Sequence, residues 1–249
     1  MGELHMEVVL QRIRNEYKVD ADLGPLMVAY KEAPVSKTRS QINFERKIGG
    51  ELHSVSLDLS VQPLEQDLPS QFKLSKQNAD KHALESLRPW QIKAIQKGFT
   101  NSITNGPLLG YPVLSASFEL HGAEIKRNTS ETIISAAFVH AAKRVLGEAE
   151  IGLLEPFMKL EIHADPDVAQ AVMQDLLQRR GQVLARKEKK SMVDFEAIVP
   201  LSELKGYSTQ LRILTSGKAY FGMDFSHHEL MDPINQNKAI KDVTGFEPK

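Results

Sequence analysis

The chain has 249 residues, 41% of them hydrophobic and 25% charged, a formal net charge of −1 and no cysteine. This length holds two ordinary domains of ~100 to 150 residues and permits a substantial core. The absence of cysteine excludes disulfides, a thiol nucleophile and a thiolate zinc site; no apolar run approaches the ~20 residues of a membrane span; and only local cationic clusters can hold a polyanion.

The opening MGELHMEVVLQRIRNEY places Val9, Ile13 and Tyr17 at four-residue spacing, with Leu4 and Val8 widening the stripe. It reads as an amphipathic helix that needs a surface to lie on. The segment has neither a secretory h-region nor the composition of a transit peptide, and an extended stretch broken by Gly24 and Pro25 follows. After Pro34, two long strands flank Gly49 and Gly50, a pair suited to a tight hairpin. In the second strand Val55, Leu57, Leu59 and Val61 alternate with polar residues. The polar stretch QDLPSQFKLSKQNADKHALES reads as a surface connection. A helix is expected from Pro89 to a stop at Gly106, then a strand in PVLSASFELHG, then a helix capped by Thr129 or Ser130 and ended by Gly147.

The remaining residues run strand (EPFMKLEIHA), helix (PDVAQAVMQDLLQRRG, closing on Gly181), strand (QVLARKEKK), strand (SMVDFEAIVP), helix (LSELKGYSTQLRILTSG), strand (KAYFGMDFSHHE). In the last strand Ala219, Phe221, Met223 and Phe225 are aligned on one face. This is the ferredoxin-like βαββαβ order, an antiparallel sheet with both helices on one face.

Catalytic signals are missing. There is no GxxxxGK[ST] phosphate loop, no HExxH and no GxSxG elbow. His227 and His228 are adjacent in a strand and point to opposite faces; His121, His140 and His163 read as satisfied or solvent-facing histidines, and Glu148 and Glu150 lie in a solvated link. No catalytic, cofactor-binding or metal-binding residue is assigned. Cations do cluster at loop ends: Arg46 and Lys47 before the Gly49-Gly50 turn, Lys126 and Arg127 in another turn, and Arg179 and Arg180 at a helix end ahead of Arg186, Lys187, Lys189 and Lys190. Such groups can grip phosphates, each contact adding ~0.7 to 0.9 to the salt slope of binding. They equally serve solubility, edge protection and helix-dipole compensation.

The strings MGELHMEVVLQRI, NGPLLGYPV, LLEPFMKLEI, LQRRGQV and VPLSELKGYSTQLRILTSGKAYFGMDF, in this order, resemble the C-terminal half of the elongation factor G family of translational GTPases. The resemblance implies an α+β chain. Met1 would be an internal methionine of the family's GMGELH motif, and residues 1–27 the remnant of domain III. Residues 28–154 would be domain IV, a ribosomal-protein-S5-like fold with a left-handed βαβ crossover against the usual right-handed rule. Residues 155–228 would be ferredoxin-like domain V, and the tail 229–249 would return to domain IV.

The GTPase domain would be absent, so this chain should not hydrolyse GTP; GTP and Mg would belong to the missing domain. Translocating members carry GGRGQ[YF]GHV at the first tip loop, where this chain reads RKIGGELHSVSL, and the histidine position of the second tip loop falls on Ile125. The tail MDPINQN resembles that of the mitochondrial ribosome-recycling branch. The implied function is ribosome binding in a GTPase that splits ribosomal subunits after termination. Its implied partners are the mitochondrial ribosome (RNA and proteins) and ribosome recycling factor, with no membrane contact, for a monomer located in mitochondria. A fragment of a translocating member and a stand-alone RNA-binding protein are the alternatives. Arg46, Lys47, Gly49, Gly50, Lys126, Arg127 and Asn128 would form the tip facing ribosomal RNA or the recycling factor. Arg179, Arg180 and Gly181 would lie near a large-subunit face.

Overall fold

The computed structural model describes residues 3–22, 27–65, 67–76 and 84–246, without the side chains of residues 3–8 and 48. The expected break at Gly24 and Pro25 and the side chains of Leu4 and Val8 therefore lie outside the described residues. In chain order the elements are α1 (Glu3–Tyr17), β1 (Lys31–Pro34), β2 (Thr38–Ile48), β3 (Glu51–Pro63), β4 (Gln71–Leu74), α2 (Pro89–Ser102), β5 (Ala116–Ile125), α3 (Glu131–Glu148), β6 (Ile151–Ala164), α4 (Ala169–Gln178), β7 (Gln182–Glu188), β8 (Val193–Pro200), a 3-10 turn (Leu201–Leu204), α5 (Tyr207–Thr215), β9 (Ala219–Leu230) and α6 (Pro233–Thr244). Two compact units result: Tyr30–Glu155 with His228–Lys249, and Met1–Ala29 with Pro156–His227.

The first unit is built on a sheet of order β2-β3-β5-β4. β2 and β5 flank β3 antiparallel, while β4 runs parallel to β5, so β4-α2-β5 is a crossover between neighbouring parallel strands. The alternation in β3 is realised: Val55, Leu57, Leu59 and Val61 are at most 1% exposed, each burial contributing about 1.5–3 kcal/mol. They share a core with Ile134, Ala137, Phe138 and Ala141 of α3.

Helix α2 packs closely on α3 because position 98 is glycine. A Cβ there would stand 2.7 Å from Cβ of Phe138 and 2.8 Å from the carbonyl oxygen of Ser135. The short strand β4, expected as a connection, forms because Phe72 reaches Phe99 and Phe138 at ring separations of 5.8 and 5.5 Å. Four residues are too few for periodicity to reveal such a strand.

Gly106 does not end α2, which stops at Ser102. It belongs instead to a loop folded around a carboxylate. Glu32 in β1 is fully buried. Its Oε2 accepts the N–H of Leu108 at 2.8 Å, and its Oε1 accepts those of Leu109 at 2.8 Å and Tyr111 at 3.0 Å. In this way the NGPLLGYPV string satisfies a group whose burial would otherwise be expensive.

The tail helix α6 is secured by its own sequence. Asp232 caps it by accepting from the N–H groups of Ile234 and Asn235, both at 3.0 Å, and Pro233 occupies the first turn, where its missing N–H costs nothing. The Gln236 side chain accepts from the N–H of Leu153 at 3.0 Å, and the N–H of Met231 donates to the Leu153 carbonyl at 2.9 Å.

The other unit has the ferredoxin-like arrangement. β8 lies between β7 and β6, antiparallel to both, and β9 pairs with β6. Val172 and Leu176 of α4 and Tyr207 and Leu211 of α5 share one core with Leu160, Ile162, Val193, Phe195, Ala197 and Val199. The aligned face of β9 is only half covered. Ala219 and Phe221 pack on the core, whereas Met223 is 37% and Phe225 53% exposed. The helices explain this: α4 has 10 residues and α5 has 9, roughly 15 Å each at 1.5 Å per residue. The 12-residue β9 extends about 40 Å, well past that cover. Helix α1 forms as expected, with Arg12 paired to Glu16 at 3.2 Å, but on its stripe Val9 and Tyr17 remain 41% and 72% exposed.

Candidate nucleic-acid interface

Strands β2 and β3 outrun the sheet. β3 first meets β5 where Val55 lies opposite Ile125, while the β2–β3 pairing continues through Glu45–Ser54, Arg46–His53 and Lys47–Leu52 to Ile48–Glu51. The result is a two-stranded ribbon reaching ~13 Å past the end of β5, four residues at about 3.3 Å each. Gly49 and Gly50 close it with φ of 61° and 90°, the positive values that a two-residue hairpin matched to strand twist demands. Space around both glycines is open.

The pleat separates the two hairpin cations. Ile42 is buried and Phe44 packs on the core, so Arg46, two residues on, continues the helix-covered face, across from His53. Lys47 lies on the opposite face. The second loop, Lys126–Asn128, leaves the end of β5 beside the ribbon, its first N–H reaching the Ser54 carbonyl at 3.5 Å. Lys126, Arg127 and Asn128 line a depression of about 400 Å³ together with Glu51, Leu52 and His53. The structure thus brings the two loops together at one end of the sheet. Arg46, Lys47, Lys126 and Arg127 are exposed, and no ion pair among the described residues involves them. The ribbon is not purely cationic, since Glu51 shares the depression.

Arg179, Arg180 and Gly181 are placed differently. Nε of Arg179 donates to Asp175 at 2.9 Å, Nη1 to the Glu203 carbonyl at 2.6 Å and Nη2 to Gln210, and the guanidinium lies 4.8 Å over the Tyr207 ring. Arg180 donates to Glu203 at 3.2 Å and Ser202 at 3.1 Å, and it takes the left-handed conformation, φ 57°. The N–H of Gly181 reaches the Leu176 carbonyl at 2.9 Å, completing a Schellman closure of α4 with arginine at the usual glycine position. These residues are committed to joining α4 with the turn before α5. Burial also pushes the Tyr207 hydroxyl above its ordinary titration range.

Other polar groups are accounted for locally. His121 meets Ser60 at 2.9 Å, His163 meets Asp194 at 2.7 Å, and His228 meets Asp67 at 2.8 Å. The Lys189 ammonium, then His163, holds the Asp194 carboxyl below the usual carboxylate range. The glycine pair closes a hairpin and does not lead into a helix N-terminus, so Gly49 and Gly50 do not fit the amide cradle of a nucleotide phosphate. No helix among the described residues is long and apolar enough to cross a membrane.

Comparison with known proteins agrees with this architecture. Residues 27–151 match the family described as "Elongation factor G, domain IV", and residues 152–239 match "Elongation factor G C-terminus". The chain is similar to proteins named "Ribosome-releasing factor 2, mitochondrial": 36% identical in Drosophila persimilis, covering 99% of this chain and 33% of that protein, and 34% in Mus musculus, covering 99% and 31%. It therefore spans about a third of the length of the curated relatives it matches. A crystal structure of a protein from Thermus thermophilus superposes with a TM-score of 0.83 at 23% identity, covering 98% of this chain and 36% of that one, a likeness of fold. With both matched segments lying end to end over the two units, the chain belongs to the elongation factor G family.

Proposed function

We propose that this chain is the ribosome-binding C-terminal part of a mitochondrial translational GTPase whose complete form, with ribosome recycling factor, separates ribosomal subunits after termination. The observation that carries the reading is the meeting of Arg46, Lys126 and Arg127, without internal ion pairs, at one end of a sheet whose core is close-packed. Exposed cations there can bind ribosomal phosphates with little desolvation. The packed core beneath them compresses little and so transmits displacement. The names carried by the relatives supply the process and the compartment.

The GTP- and Mg-dependent step belongs, in this reading, to the part of the relatives' length that residues 1–249 do not match. The ribbon's departure from the translocase string, with no arginine or aromatic residue after Gly50 in "GGELHSV", favours recycling over translocation.

The test compares the complete protein with its Arg46→Glu/Lys47→Glu form in ribosome-binding and subunit-splitting assays with recycling factor and GTP. Association is expected to weaken and the salt slope to flatten by at least the roughly 1.4 to 1.8 carried by two phosphate contacts, with splitting lost in step. An unchanged slope rejects the tip; translocation without splitting by the unaltered protein rejects the recycling function.

A further inference from the structure

A groove of about 560 Å³ runs between α2 and α3, lined by Lys97 and Asn101 on one side and by Thr132, Ser135, His140 and Lys143 on the other, with Glu131 as its acidic residue. Lys97, His140 and Lys143 are exposed, and no ion pair among the described residues involves them. Ser135 is 8% exposed at the floor, and no hydrogen bond of its hydroxyl is present among the described residues. Groove and ribbon adjoin. The His140 ring lies 5.6 Å from that of Phe44, which shares a strand face with Arg46 two residues along.

We propose that this groove is a second RNA-backbone site, in which Lys97 and Lys143 neutralise phosphates from opposite walls and Ser135, Thr132 and Asn101 donate to phosphate or sugar oxygens. The proposal goes beyond the RNA-contact reading of the ribbon and does not depend on it. Charge complementarity argues for a polyanion. The lining offers two lysines and three neutral donors against one carboxylate. The chemistry of the walls argues against an acidic protein surface. Protein interfaces are anchored by buried aromatic or large aliphatic side chains, and among the described lining residues the apolar ones are Ala136 and Val139.

The experiment titrates the 249-residue chain against a short fluorescein-labelled RNA hairpin by anisotropy over a series of KCl concentrations. It compares Lys97→Gln/Lys143→Gln, Arg46→Gln/Lys47→Gln and a charge-matched control, Lys205→Gln/Lys238→Gln. All six side chains are exposed, so each variant is expected to melt with the parent. The groove variant is expected to lower the salt slope by roughly 1.4 to 1.8 and to weaken binding several-fold, with the control unchanged. A groove variant matching the parent, a control that loses as much slope, or no RNA binding by the parent overturns the proposal. So does groove-dependent binding of polyglutamate in place of the RNA. A loss in the groove variant alone, with the ribbon variant unchanged, upholds the groove and rejects the ribbon; the reverse rejects the groove and leaves the ribbon standing.

Discussion

Gly106 packs directly on the carboxylate of Glu32, so closely that a Cβ built at position 106 would overlap it. The carboxylate cannot retreat, because it is fully buried and holds three main-chain N–H groups. Gly106→Ala is expected to destabilise the unit containing Tyr30–Glu155 by about 1–3 kcal/mol, through overpacking. Glu32→Gln is expected to cost about as much, since its NH₂ would face a main-chain donor and leave N–H groups unpaired. Urea unfolding checks both; a shift under ~0.5 kcal/mol in either would contradict the account.

The closure of α4 yields a contrast between neighbours. Gly181 has no need of positive φ but no room for a side chain: a Cβ would lie 2.6 Å from the Leu176 carbonyl oxygen and 2.9 Å from Cγ2 of Val199. Gly181→Ala is therefore expected to destabilise by about 1–3 kcal/mol. Arg180→Gly relieves a left-handed arginine while losing its bonds to Glu203 and Ser202, two opposing effects of about 1 kcal/mol each. Its expected net change is near zero. Thermal melts that reverse this ranking would show that the backbone conformation at 180, not space at 181, governs the closure.

Helix α1 exposes Val9 and Tyr17 and has no more than local ion pairs among its described contacts. A 15-residue helix with no buried residue among its described side chains is marginal in water. Its amides are expected to exchange with solvent orders of magnitude faster than those of β6 and β8, whose pairing is buried. Equal protection by hydrogen-exchange mass spectrometry would mean that α1 has a cover.

Acid should find the Asp194 cluster. Lys189 first, then His163, lowers the Asp194 carboxyl from its ordinary 3.8, so the folded state binds a proton there less readily than the unfolded state. The pair's contribution is fully present above that ordinary value and is lost as pH falls below it. The Lys189 ammonium is correspondingly raised above 10.5, so its share persists below that value and fades at higher pH. Asp194→Asn is expected to flatten the decline of stability below about pH 4, read from urea midpoints at successive pH values. A parallel acid limb in both forms would remove Asp194 from the account.

Much of the candidate interface was readable in the chain because it depends on neighbours in sequence. Gly49 and Gly50 announce a hairpin, and Lys126, Arg127 and Asn128 sit in the turn after a strand. Their meeting was not readable from period or turn chemistry and was expected only from the family resemblance, since it follows from β3 pairing at once with β2 and β5. Nor was the divergence of Arg46 and Lys47, which is fixed by which pleat phase buries Ile42. The groove cations escaped notice because Lys97 and Lys143 belong to different helices and look like ordinary solvated positions in either. The RRG string read as a cationic cluster, yet the first two side chains turn inward because Asp175, Ser202, Glu203 and Gln210 surround them.

The sequence by itself determined the strand and helix order of residues 155–228, the ribbon and its turn, and the alternation that buries Val55 through Val61, because period and turn chemistry are local properties. Tertiary structure alone decided that Phe72 would make a strand, that Gly106 would serve a buried carboxylate instead of a helix end, and that Met223 and Phe225 would run out beyond the core. Each depends on what another segment, distant in the chain, brings to the same place: a ring, a charge, or the end of a helix.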